Sequence, residues 1–270
     1  MKITGGLREQ LGISDDYVRY CREERNFAAV LYHLLLDEQR LGIFLKLIGL
    51  PAAQARDAGV YFEYAHLRDL WAEAGVRYGT AGANARYRDA IIAMLGNPDV
   101  ALPMDCKAFN EVFIGPGSKA ASASFIQMPA RWNDAQYPAW CAALGGQSFA
   151  ERACKLKWAF NAKPDLVLHL GDGQVVCIEA KLGSGIGRYT AKTGPSSRPF
   201  GMKQTELQEF IFTELLSVQT TTFVILSKDK RDAEKPWTQY TWQEVFTALR
   251  REPCGSNMVA KFCERFARPA

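Results

Sequence analysis

Residues 164–182 read PDLVLHLGDGQVVCIEAKL. Two apolar segments flank a Gly171-Asp172-Gly173 turn, and the second carries two charged residues, Glu179 and Lys181. A strand that fills a core uses Val, Ile and Leu, because a buried ion is costly unless it is paired. Alternation along residues 175–182 sets Val175, Cys177, Glu179 and Lys181 on one face, and Val176, Ile178, Ala180 and Leu182 on the other. The E-x-K spacing therefore aims a carboxylate and an ammonium in the same direction, about 7 Å apart along the strand.

The turn decides where Asp165 goes. A three-residue loop, Gly171-Asp172-Gly173, puts Gly173 at the left-handed position such loops favour. Leu170 then pairs with Gln174, and Asp165 lies opposite Glu179 on the same face. A two-residue loop, Asp172-Gly173, would put Asp165 opposite Ala180, on the other face. The three-residue loop, or an equivalent bulge, is the expected one. Two carboxylates converging on one point repel each other unless a cation sits between them, and such oxygen ligands suit Mg²⁺ or Mn²⁺. A metal stabilises charge on phosphate oxygens and lowers the pKa of water, and a neighbouring lysine can orient or deprotonate that water. Together these parts can hydrolyse a phosphodiester.

Pro164-Asp165, an apolar strand, a short turn and then Glu179-Ala180-Lys181 at the end of the next strand resemble the motif of the PD-(D/E)XK nuclease superfamily. The resemblance implies that Asp165, Glu179 and the Ala180 carbonyl bind metal, and that Lys181 assists the attacking water. Many members carry a further glutamate on the first core helix that completes the metal site, and Glu24 fits that position. Many also have a Q-x-x-x-Y-like helix after the motif. Gln204 and Gln208 occupy successive turns of one helix face, 23 and 27 residues beyond Lys181, with Gln at the place of Tyr.

Outward from the motif, residues 14–36 read as a long helix with Ser14 at its N-cap and Asp15 and Asp16 in the first turn. Its apolar stripe runs through Tyr17, Tyr20, Cys21, Phe27, Ala28, Leu31, Leu34 and Leu35, with Glu24 in the middle of the stripe. A second helix is expected over about 38–48, ending at Gly49 with Pro51 beyond. Within 52–150, YAHLRDLWAEAG and ARYRDAIIAMLG read as helices, while KAFNEVFIGPGSKAASASF is ambiguous and could hold a short strand and a loop. After the motif, 183–201 is rich in Gly and Ser and reads as a loop. KQTELQEFIFTELLS then reads as a helix, TTFVILSKD as a buried strand, TWQEVFTALRRE as a helix capped by Thr241, and MVAKFCERFA as a last helix. The order is that of a compact α/β core.

The expected fold is thus a single α/β domain of 1–270: a mixed central β-sheet flanked by helices, with an inserted helical lobe. The core comes from about 14–50 and 151–248, the lobe from about 52–150. By the resemblance, that core is restriction-endonuclease-like.

Composition narrows the function. The chain is 48% hydrophobic and 23% charged, ordinary for a folded domain, and its net charge of +4 permits nucleic-acid binding without demanding it. From 151 to 203, however, nine Lys or Arg stand against four acids, a surface that phosphate backbones favour. Arg188, Tyr189 and Lys192 lie on the 183–201 stretch and are candidates to clamp a nucleic acid; the bland alternative is ordinary solvated charge. Seven scattered cysteines without a CxxC, and three histidines, argue against a disulfide framework or a structural zinc site. No apolar run approaches the ~18 residues of a membrane span, and MKITGGLREQ lacks the apolar core of a signal peptide, so a cytoplasmic protein is expected.

Three other features carry less. GSGIG at 183–187 is G-x-G-x-G, and Pro195 and Pro199 stand where a dinucleotide-binding loop would lead into a helix. GPGSK at 115–119 lacks the spacing of a phosphate-binding loop, and His169 reads as a buried or edge-facing strand residue. The expected activity is Mg²⁺- or Mn²⁺-dependent hydrolysis of nucleic-acid phosphodiesters, with DNA favoured over RNA by the resemblance and a homo-oligomer left open. The alternative is a catalytically inactive nucleic-acid-binding or scaffold protein that keeps the fold, in which Glu179 and Lys181 form a structural ion pair.

Overall fold

The computed structural model describes residues 23–78, 81–96, 105–117, 126–144, 146–191, 200–230 and 233–250. In chain order these hold α1 (Glu24–Leu35), α2 (Glu38–Leu47), β1 (Gly59–Phe62), α3 (His66–Tyr78), α4 (Ala81–Leu95), α5 (Cys106–Ile114), α6 (Tyr137–Leu144) and α7 (Gln147–Asn161). Next come β2 (Leu166–His169), β3 (Gln174–Ala180), β4 (Arg188–Thr190), β5 (Gly201–Lys203), α8 (Gln204–Phe210), β6 (Thr220–Ser227), β7 (Trp237–Thr241) and α9 (Trp242–Leu249). The expected helix over 258–267, the Ser14 N-cap with residues 14–22, and Lys192 lie outside the described residues. The expected helix over 14–36 is not continuous, because Glu23 is extended and is the N-cap residue of α1, so Glu24 is the first residue of a helix and not the middle of one. Among the described residues no helix is long and apolar enough to cross a membrane.

The protein is a mixed α/β fold whose main sheet has five strands flanked by helices, in the order β1-β2-β3-β6-β7. β1, β2 and β3 are antiparallel, and β3, β6 and β7 are parallel. The chain divides into two compact units. The first takes its described residues from 23–63, 165–185 and 219–250, the second from 64–164 and 186–218.

The first unit holds the five-stranded sheet. One sheet face, with Leu166, Leu168, Val176, Ile178, Ala180, Val224 and Leu226, packs into a core with α1, α2 and α9. Those helices supply Phe27 and Leu31, Phe44 and Leu45, and Trp242 and Phe246, all fully or almost fully buried. The helix ends are specified locally. Asp37 accepts a hydrogen bond from the Arg40 amide at 2.9 Å and caps α2. Thr241 and Glu244 form a reciprocal capping box at the start of α9, which fixes Trp242 as its first residue.

The hairpin closes as the three-residue loop requires. Leu166 pairs with Ile178 and His169 with Val175, and the Leu170 amide donates to the Gln174 carbonyl at 2.8 Å. Gly173 takes the left-handed conformation, at φ +72°. This register carries Asp165 to the position opposite Glu179. His169 is half-buried and packs on Tyr61 of β1, ring centres 4.8 Å apart, as a strand residue.

The second unit contains α3 to α8 and a two-stranded ribbon of β4 and β5. Phe109, Phe113, Trp132 and Trp140 pack into an aromatic core. The indole N–H groups of Trp132 and Trp140 are satisfied by the carbonyls of Gln127 and Val112, at 3.1 and 2.7 Å. Trp158 of α7 stacks on Tyr189 and on Phe200, at 5.7 and 5.4 Å between ring centres, and so fastens the ribbon to that helix.

Several elements differ from the sequence expectation. The stretch 52–150 is not helical throughout, since residues 59–62 form β1 at the edge of the main sheet. The ambiguous KAFNEVFI is helical, because Asp105 caps it through the Ala108 amide at 2.8 Å. The stretch 183–201 is not all loop: Arg188 pairs with Lys203 and Thr190 with Gly201. The helix after it continues past α8 as a π-helical turn, Ile211–Leu215. β7 and α7 were not expected.

Candidate active site

The site gathers at the adjoining ends of β2 and β3, within the first unit. Asp165 precedes β2, Glu179 and Ala180 end β3, and Lys181 follows directly after it. The Ala180 amide donates to Asp165 Oδ2 at 2.8 Å, which ties the carboxylate to the neighbouring strand. Glu179 is 1% exposed, on the face opposite the helical core. Lys181 Nζ lies 2.6 Å from Glu179 Oε1, a short charge-assisted hydrogen bond, and 3.9 Å from Glu24 Oε2. Four of the residues singled out in the sequence, Glu24, Asp165, Glu179 and Lys181, are thereby brought together.

Glu24 arrives from the first turn of α1. Its Oε1 accepts hydrogen bonds from the Leu182 amide, at 2.8 Å, and from the Ser184 hydroxyl. The carboxylate thus holds the chain as it leaves β3. Burial raises the pKa of Glu24, but the bonds from Ser184 and Leu182 and the charge of Lys181 outweigh it and hold the group below its ordinary range.

Asp165 is the opposite case. Burial, and then the negative charge of Glu179, push its carboxyl up to about 7, against the pull of the Ala180 amide and Lys181. Burial also works against the Lys181 ammonium, but Glu179, Glu24 and Asp165 outweigh it and hold its pKa above the ordinary lysine value.

The other expected site residues belong to the second unit. Arg188 and Tyr189 lie on β4, and Gln204 and Gln208 stand one turn apart on α8. Gln208 is 1% exposed, and Gln204 is half-buried with its backbone N–H donating to the Gly187 carbonyl at 2.8 Å. Ser184 and Trp242 were missed from the sequence. The Trp242 indole N–H donates to the Lys181 carbonyl at 2.8 Å. The T-x-x-E box at 241–244 locates Trp242 at a helix start, but no sequence signal gives its partner 61 residues earlier.

Among the described residues, no group of three or more His, Cys, Asp or Glu side chains is placed to hold a metal ion. Asp165, Glu179 and the Ala180 carbonyl make a smaller set, all oxygen. That suits Mg²⁺, which keeps several waters and takes as few as one or two carboxylates from a protein. The raised pKa of Asp165 beside Glu179 marks a cluster where added positive charge is favourable. In donor chemistry alone, these oxygens are of the kind a hard divalent cation takes. No protein-family model, no curated protein and no solved structure matches the chain significantly.

Proposed function

We propose that the protein is a metal-dependent nuclease with a restriction-endonuclease-like core, hydrolysing nucleic-acid phosphodiester bonds, of DNA in preference to RNA. The observation that supports it most is the meeting of Asp165, Glu179 and Lys181 at one pair of strand ends, with the carboxyl of Asp165 pushed up to about 7. Asp165, Glu179 and the Ala180 carbonyl would hold Mg²⁺ or Mn²⁺. The ion supplies charge stabilisation on the phosphate and a water of lowered pKa. Lys181, fixed against Glu179, orients the attacking water and adds positive charge at the phosphate. Arg188, Tyr189 and Lys192 serve the nucleic-acid backbone. Roles for Gln204 and Gln208, and the choice of DNA, rest on the resemblance to PD-(D/E)XK nucleases.

The test is cleavage of plasmid and single-stranded substrates with Mg²⁺ or Mn²⁺, by wild type and Glu179→Gln. Cleavage by wild type that chelation abolishes, lowered at least about 100-fold in the variant, supports the reading. Equal cleavage by both proteins contradicts it. The second reading, a nucleic-acid-binding or scaffold protein without catalysis, is favoured by the 2.6 Å contact between Lys181 and Glu179, which has the geometry of a structural ion pair. It requires metal-independent binding and no cleavage.

A further inference from the structure

The backbone around Lys181 is tied from four directions. The Ala180 amide donates to Asp165, and the Lys181 amide donates to the Leu226 carbonyl of β6 at 2.7 Å. The Leu182 amide donates to Glu24 of α1, and the Lys181 carbonyl accepts from the Trp242 indole of α9. The first two bonds are those of a strand end and its neighbours. The indole bond is different, since it uses the single donor of a fully buried side chain.

The indole has little freedom to do anything else. Its ring packs on Phe27 at 5.8 Å and on Phe246 at 5.7 Å between centres. Its backbone is set by the Thr241–Glu244 capping box. Phe27 stands one turn after Glu24 on α1, so one helix both braces the indole and binds the Leu182 amide. A rigid donor therefore fixes the carbonyl of the residue whose ammonium lies between Glu179 and Glu24.

We infer that Trp242 is a positioning residue: its indole N–H holds the end of β3 so that the Lys181 ammonium stays between Glu179 and Glu24. The consequence for catalysis rests on the nuclease reading, whereas the consequence for Lys181 order does not. A side chain held a fraction of an ångström out of place lowers the chemical step more than substrate binding.

The test removes the N–H and keeps the ring, by Trp242→Phe and by 3-benzothienylalanine in place of Trp242, an isostere without the donor. Phe44→Leu is the control, loosening the same buried core with the N–H and the two rings packed on the indole intact. The readouts are the NMR order parameter of the Lys181 side chain, the thermal midpoint, and kcat and KM for Mn²⁺-dependent plasmid cleavage. Both Trp242 replacements are expected to lower Lys181 order and to reduce kcat about tenfold, with KM within about twofold, while Phe44→Leu leaves Lys181 order unchanged. Unchanged Lys181 order in the benzothienyl protein, or an equal loss in Phe44→Leu, would overturn the inference and leave Trp242 a core residue. Absence of cleavage by wild type counts against the nuclease reading alone, and Lys181 order still decides the role of Trp242.

Discussion

Asp165 links the site to pH. Its carboxyl is raised from an ordinary 3.8 to about 7, so between those values the native state holds a proton that the unfolded chain has lost. Stability from this group is fully present below about pH 4 and is lost as pH rises through about 7. The metal-free wild type should therefore lose thermal stability from pH 5 to pH 8, and Asp165→Asn, which cannot ionise, should lose less. Melting curves across that range check the sign, and equal slopes for the two proteins would mean that Asp165 is not a carboxyl buried beside the charge of Glu179. At this scale the sequence was informative about type and register. Asp165, Glu179 and Lys181 stand out as charges in apolar strands, and alternation gives their shared face. Ser184 and Trp242 were hidden, because a serine in a glycine-rich stretch and a tryptophan in an apolar helix are both ordinary without their partners.

Register is an element-scale property, and here it depends on the turn. With the 171–173 loop, Leu166 meets Ile178, and Asp165 is carried to the site; a one-residue slip would turn it to the other face. Gly173 stands at φ +72°, and a Cβ there meets nothing within 4 Å, so alanine at 173 is opposed by backbone conformation alone. Gly173→Ala should cost about 1–2 kcal/mol in urea denaturation without loss of the hairpin; no cost would mean that the turn has another conformation. The Gly-Asp-Gly signal made this hairpin legible, and Thr241 with Glu244 made α9 legible. β1 was not legible, since four residues, Gly59–Phe62, sit at a sheet edge within a largely helical stretch. α7 was missed because much of its buried face is small, with Ala150, Ala153, Cys154 and Ala159 among its contacts. Such a face gives a weak apolar stripe.

At the scale of the molecule, the mixed α/β class and the parallel pairing of β3 with β6 follow from strands separated by a helix, a pattern visible in the sequence. The distribution of the chain over two units was not visible, because the first unit is assembled from three separate stretches. All four charged residues of the candidate site belong to that unit, brought together from 24, 165 and 179–181 by sheet register and one helix. The proposed nuclease needs this cluster to hold a divalent cation that serves hydrolysis. Calorimetric titration of Mn²⁺ into wild type and Asp165→Ala, with plasmid and single-strand cleavage measured on the same preparations, tests it most directly. Binding and metal-dependent cleavage by wild type, both lost in the variant, is the expected result. Equal, negligible Mn²⁺ binding by both proteins would contradict it and leave Lys181 as the structural counter-ion of Glu179.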